Sequence, residues 1–62
     1  MTREDKQQFT LRISQANSTE LTVILYEMLL CYIKDAREAL VQADETRLHG
    51  AARSARGCLN EL

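Results

Sequence analysis

The sequence predicts an all-α protein: an antiparallel helical hairpin that forms part of a four-helix bundle. Three observations carry this prediction. The chain has no proline and only two glycines, with 45% apolar and 27% charged residues, a profile that suits helices better than sheets. Two cap signals, Asn17 with Glu20 and Asp44 with Glu45, stand directly before runs whose apolar residues recur at three- and four-residue steps. The chain has 62 residues, and a domain of that size buries only about 60% of its unfolded surface. The bundle is therefore expected to be completed by oligomerisation or by a missing C-terminal half.

Residues 1–16 open with Met-Thr-Arg-Glu-Asp-Lys, which is polar, of mixed charge and unlike a signal peptide. Phe9 and Ile13 stand four apart, as on a helix, whereas Leu11 and Ile13 alternate, as on a strand. This polar N-terminal segment is expected to be irregular or a short helix.

A long helix is expected over about 18–43. Asn17 can accept an orphan N–H of its first turn, and Glu20 can reach back to the cap. At ~1.5 Å per residue the helix would span roughly 39 Å. Its apolar residues do not keep to one face. Leu29, Ile33, Ala36 and Leu40 form one stripe; Leu21, Leu25, Met28, Tyr32 and Ala39 form a second, about a quarter turn away. Val23, Ile24, Leu30 and Cys31 lie further round. A helix apolar nearly all round must be covered on several sides.

A following helix is expected over about 45–62, capped by Asp44. The joint at Ala43 to Glu45 is tight enough to force an antiparallel hairpin. Residues equally far from the turn then lie level: Leu40 with Leu48, Ala36 with Ala52, Ile33 with Ala55, Leu29 with Leu59. This pairing is the expected seam, and its alanines permit axes about 8–10 Å apart. The second stripe, Leu21, Leu25, Met28 and Tyr32, becomes the expected assembly surface. Each large side chain buried there contributes roughly 1.5–3 kcal/mol. Leu59 and Leu62 stay in phase, and no glycine or proline ends the helix, as expected of a helix that continues.

The composition excludes several function classes. The formal charge is −1, with acids and bases interspersed, so no nucleic-acid partner is expected. The apolar run Leu21 to Ile33 contains Glu27 and is too short to insert in a membrane; a cytoplasmic location is expected. Cys31 and Cys58 lack metal-ligand spacing and should be free thiols with a packing role. They are nearly level across the hairpin, so a disulfide would need only Cα atoms within ~7 Å. His49 is the sole histidine, with Glu45 four residues before it, whereas a metal site wants three or four ligands. No enzyme activity, metal or cofactor is expected.

Gly50 and Gly57 stand one heptad apart with Ser54 between them. Each glycine costs ~1 kcal/mol relative to alanine in a helix interior. They read either as tolerated surface positions or as a shallow groove that admits a partner's backbone. Arg47, Arg53 and Arg56 make this the more basic helix, either solvated or facing an acidic partner segment.

The run Gln15-Ala16-Asn17-Ser18-Thr19-Glu20-Leu21-Thr22-Val23-Ile24-Leu25-Tyr26 resembles the Thr-Ala-Ser-Pro-Glu-Glu-Leu-x-x-x-Leu-Tyr signature of the flagellin export chaperones, the FliS family. Tyr32 to Leu40 is similar to that family's Phe-Leu-x-x-Ala-x-x-Ala-Ile stretch, and Ser54 to Leu62 to its Lys-Ala-Gln-x-Ile-Ile-x-Glu-Leu stretch. The likeness covers roughly residues 9–62. Asn17 and Ser18 replace the family's cap serine and proline; Asn17 keeps the capping role. Phe9 matches one tyrosine of the family's N-terminal aromatic segment, whose other aromatic is absent here. Members are about twice this long, and a further helix pair completes their bundle.

The resemblance implies a cytosolic flagellar secretion chaperone. Such a protein binds the disordered C-terminal segment of flagellin, prevents premature polymerisation and assists transfer to the flagellar export gate. A client that folds on binding can wrap a large apolar surface and still be released. Val23, Ile24, Tyr26 and Leu30, outside both stripes, are then the expected client contacts, with Gly50 and Gly57 as points of close approach. The alternative is a small homo-oligomerising helical-bundle adaptor with no flagellin client.

Overall fold

The first turn of any helix leaves backbone N–H groups without partners, and three polar side chains of this chain answer them. A computed structural model describes residues 1–62 as three helices, α1 Arg3–Gln15, α2 Ser18–Val41 and α3 Glu45–Glu61. Thr2 accepts from the Asp5 N–H at 3.1 Å, Asn17 from the Glu20 N–H at 2.8 Å, and Asp44 from the Arg47 N–H at 3.1 Å. In the first two cases the N3 carboxylate also accepts from the cap N–H, which closes a capping box.

The leading segment is thus a regular helix of 13 residues. The box between Thr2 and Asp5 decides it over the short alternation of Leu11 and Ile13, because it secures the first turn at the costly nucleation step. The long helix ends at Val41, two residues before the expected limit. Ala43 has φ 55°, its N–H donates to the Leu40 carbonyl, and the Asp44 N–H donates to the Ala39 carbonyl. This is a Schellman stop, built on a non-glycine residue in the left-handed region.

α2 packs along α3 as an antiparallel hairpin, and α1 lies more lightly against α2. The Met1 amino group meets Asp35 and the Arg12 guanidinium meets Glu27. These two contacts run in opposite senses along the two helices, so α1 is antiparallel to α2.

The seam differs from the expected one. On α2 it holds Ala39, fully buried, with Leu25, Met28 and Tyr32 half-buried. On α3 it holds the buried Ala51 and Cys58, with Leu48 and Ala55 half-buried. Leu29 and Ala36 border it, whereas Ile33, Leu40, Ala52 and Leu59 are exposed. α2 is rotated by roughly 80° and α3 by roughly 50° from the expected seam, taking ~100° per residue. Equal distance from a turn fixes which residues are level, and it leaves rotation about each axis open. The left-handed residue at Ala43 sets the exit of α3. The Arg47 guanidinium then reaches Glu38 at 3.1 Å and Asp35 at 3.8 Å, which holds that rotation. The second stripe, read from the sequence as an assembly surface, is therefore largely taken up inside the chain: Leu25, Met28 and Tyr32 face α3, and Leu21 stays 36% exposed at its end.

The chain measures 38 × 23 × 13 Å. Only 4 of 62 residues are buried: Ile24, Ala39, Ala51 and Cys58.

Two substitutions on adjacent residues check the seam by chemical denaturation. Ala51→Glu buries an unpaired carboxylate and should cost about 3–5 kcal/mol, most of the stability of so small a domain. Ala52→Glu, on the exposed side, should stay within about 0.5 kcal/mol of the parent; equal losses would restore the seam at Ala52. Ala43→Gly should add about 1 kcal/mol by relieving the left-handed alanine.

Candidate partner-binding surface

A helix has one circumference to divide among its neighbours. α2 gives one arc to α3 through Leu25, Met28, Tyr32 and Ala39. It gives the next arc to α1, through Glu27 and Asp35, and Ile24 is buried beside that arc at 3% exposure. Thr19, Glu20, Val23 and Ile24 share a shallow hollow with Arg12 and Gln15 of α1. The remaining arc has no neighbour. It carries Val23, Tyr26, Leu30, Ile33 and Leu40, all at least half exposed, with Leu30 and Leu40 at 66%.

These residues step by three and four, and Arg37 fills the one gap at the same phase. The result is a regular apolar stripe, broken only by Arg37, along the longest helix of the chain. On the neighbouring α3, Leu59 is 58% and Leu62 46% exposed. Apolar residues scattered singly are ordinary on a protein surface; a continuous stripe marks a surface that meets something.

The sequence-derived contacts divide on this geometry. Val23, Tyr26 and Leu30 lie together on the open stripe. Ile24 does not, because burial between α2 and its neighbours removes it from any partner's reach. Gly50 lines a separate groove of about 350 Å³ with Met1, Lys6 of α1, Tyr32, Asp35, Arg47 and Ser54. Gly57 is one heptad on, and a Cβ at either glycine would meet nothing within 4 Å. Neither is a point of close approach within the chain, and helical phase places both away from the stripe. Ile33 and Leu40 are stripe residues that the seam assignment had absorbed; the 23-26-30-33-37-40 heptad was the signal for them.

Charges border the stripe. The Arg12 guanidinium donates to the Glu27 carboxylate. That bond raises Arg12 further above its ordinary value and holds the Glu27 carboxyl below the usual range. Asp5 is lowered too, by the Thr2 N–H first and the Thr2 hydroxyl second. In the hairpin seam, loss of water raises Tyr32, with the Cys58 and Asp35 charges adding to it. Burial alone raises the Cys58 thiol.

Arg47 is taken up by Glu38, Asp35 and the Gln42 side chain, a bond of 3.2 Å in the last case. Arg53 and Arg56 are exposed. His49 and Glu45 are exposed on one face of α3, and no three His, Cys, Asp or Glu side chains converge as a metal site requires. Cys31 and Cys58 are both free thiols. No helix is long and apolar enough to cross a membrane.

No family model, curated protein or solved structure matches this chain.

The lowered Glu27 carboxyl makes the docking of α1 acid-sensitive, and the lowered Asp5 carboxyl does the same for its first turn. A group whose folded pKa lies below its unfolded value stabilises fully above the ordinary carboxylate range, about 4. That contribution fades as pH falls through the lowered value. Amide exchange along α1 should therefore be steady above about pH 5 and quicken as pH falls below it through the lowered values, and Arg12→Gln should flatten part of the change. Exchange in α1 that ignores pH after correction for intrinsic rates would show that these pairs hold nothing.

Proposed function

We infer that this chain is a helix-binding chaperone module, and that its client is the C-terminal segment of flagellin. One observation supports the first half of that reading: the unpartnered stripe Val23, Tyr26, Leu30, Ile33 and Leu40 on a rigid, capped helix. Such a stripe suits an amphipathic helix with apolar residues at steps of three and four. Tyr26 can bury its ring against that helix and keep its hydroxyl in water. The second half rests on the likeness of Gln15 to Tyr26, and of the stretches after it, to the flagellin export chaperones. On this reading the chain works in the cytoplasm. It covers the segment by which flagellin subunits pair, prevents premature polymerisation and passes the client to the export gate. No catalysis, metal or cofactor enters the mechanism. The free energy of covering apolar surface holds the client, and the ordering entropy of a disordered segment keeps the complex reversible.

A labelled flagellin C-terminal peptide, titrated with the chain and read by fluorescence anisotropy, tests both halves. Leu30→Asp should weaken binding at least about tenfold, the loss of one buried leucine, while circular dichroism stays unchanged. Ile24→Asp should instead release α1, because that side chain is 3% exposed beneath it, and amide exchange along α1 should quicken. Peptide that binds Leu30→Asp as tightly as the parent would remove the stripe from the mechanism. A parent chain that ignores the flagellin peptide would remove the client.

A further inference from the structure

The open stripe of α2 is complementary to itself when reversed. Its six positions are Val23, Tyr26, Leu30, Ile33, Arg37 and Leu40. Lay a second α2 against it antiparallel, with Leu30 opposite Ile33 of the other copy. Val23 then falls opposite Leu40, and Tyr26 opposite Arg37. Both arrangements repeat across the two-fold axis. The one cation in the stripe thereby faces its one aromatic ring, an arrangement that lets the guanidinium stack without leaving a charge against a leucine.

The flanks agree with the same register. Glu27 and Lys34 occupy equivalent positions along the side of the stripe that faces α1. In an antiparallel pair these equivalent positions meet each other across the interface, so Glu27 of each copy meets Lys34 of the other. On the opposite flank Leu29 meets Ala36. A parallel pairing would instead stack Arg37 on Arg37 in the seam. Both flanking charges reach solvent: Lys34 is exposed, and the Glu27 side chain keeps 44% exposure although it accepts from Arg12. Close packing on that side is limited to the α1 contacts already described.

We propose that the stripe docks a second copy of this chain, α2 against α2, in the antiparallel register that places Leu30 opposite Ile33. The contact is isologous and closes on itself, so it yields a dimer and not a filament. It does not depend on the identity of any client. A client helix and a second copy want the same surface, so each excludes the other.

Sedimentation of the whole chain without any peptide tests this. The parent should run at twice the chain mass at high micromolar concentration. Lys34→Glu sets a carboxylate against Glu27 twice per dimer, and Glu27→Lys sets an ammonium group against Lys34 twice per dimer. Each should weaken self-association about tenfold, the scale of two exposed pairs turned from attraction to repulsion. In an equimolar mixture, one variant carries only carboxylates at these two positions and the other only ammonium groups. Both flanking contacts of the mixed dimer are then attractive, and the mixture should recover parental association. Lys34→Glu leaves the Arg12–Glu27 contact in place but sets a carboxylate near Asp5 at the start of α1, so amide exchange along α1 is read beside sedimentation, and loss of dimer with that exchange unchanged reports the interface. A folded chain of single mass leaves the stripe to a client helix and overturns the self-pairing. A mixture no tighter than either variant alone overturns the antiparallel register. Failure of the flagellin peptide to bind touches neither result.

Discussion

Coverage governs this chain. Three helices, two of them short, have too little material to make an inside in which every apolar residue can hide. α2 is the centre of the problem, because its sequence is apolar around most of its circumference. α3 and α1 can each cover one arc of it. What neither covers is the stripe from Val23 to Leu40. The same limit explains why buried residues are so few, and why those at the hairpin's closest approach, Ala39 and Ala51, are small.

With so little core, the local interactions carry an unusual share of the order. Each helix starts on a side chain that answers its own orphan N–H groups. Capping of this kind contributes about 1 kcal/mol per helix, which matters when the whole domain holds only a few. The ion contacts work at longer range. Arg47 fastens the first turn of α3 to Asp35 and Glu38 near the end of α2, and Asp35 also receives the Met1 amino group. One half-buried carboxylate thus ties all three helices at one end of the molecule. At the other end α1 relies on Arg12 with Glu27; the same guanidinium lies 5.6 Å above the Phe9 ring of its own helix. Removal of α1 from α2 breaks few contacts, and it would uncover Ile24 and Cys31. Its hold is electrostatic, whereas the hold of α3 is packing.

The placement of polar groups keeps the structure consistent with itself. No buried side-chain nitrogen or oxygen lacks a partner. Tyr32 and Cys58 carry raised pKa values where the seam excludes water. Both are neutral groups near neutral pH, so the seam contains no buried charge to be compensated. The exposed stripe is different in kind. Its leucines and tyrosine order water around them at a cost in free energy, and that cost is what a second helix would remove.

The sequence by itself determined the helical class, the starts of α2 and α3 at Asn17 and Asp44, and the hairpin between them. These are local matters: cap side chains reach only two or three residues, and the period of 3.6 is written in adjacent turns. Thr2 and Asp5 carried the same kind of signal for α1, and the weak apolar content of that segment hid it. Tertiary structure alone decided how each helix is rotated about its axis. Two stripes on α2 were equally apolar, so pattern could not choose between them. The left-handed stop at Ala43, the Arg47 ion pairs and the seating of α1 over Ile24 chose, and the last two join residues that lie apart in sequence. That rotation sent Leu25, Met28 and Tyr32 inward and left Ile33 and Leu40 in water, because a helix turned by one residue step presents a different face to everything around it.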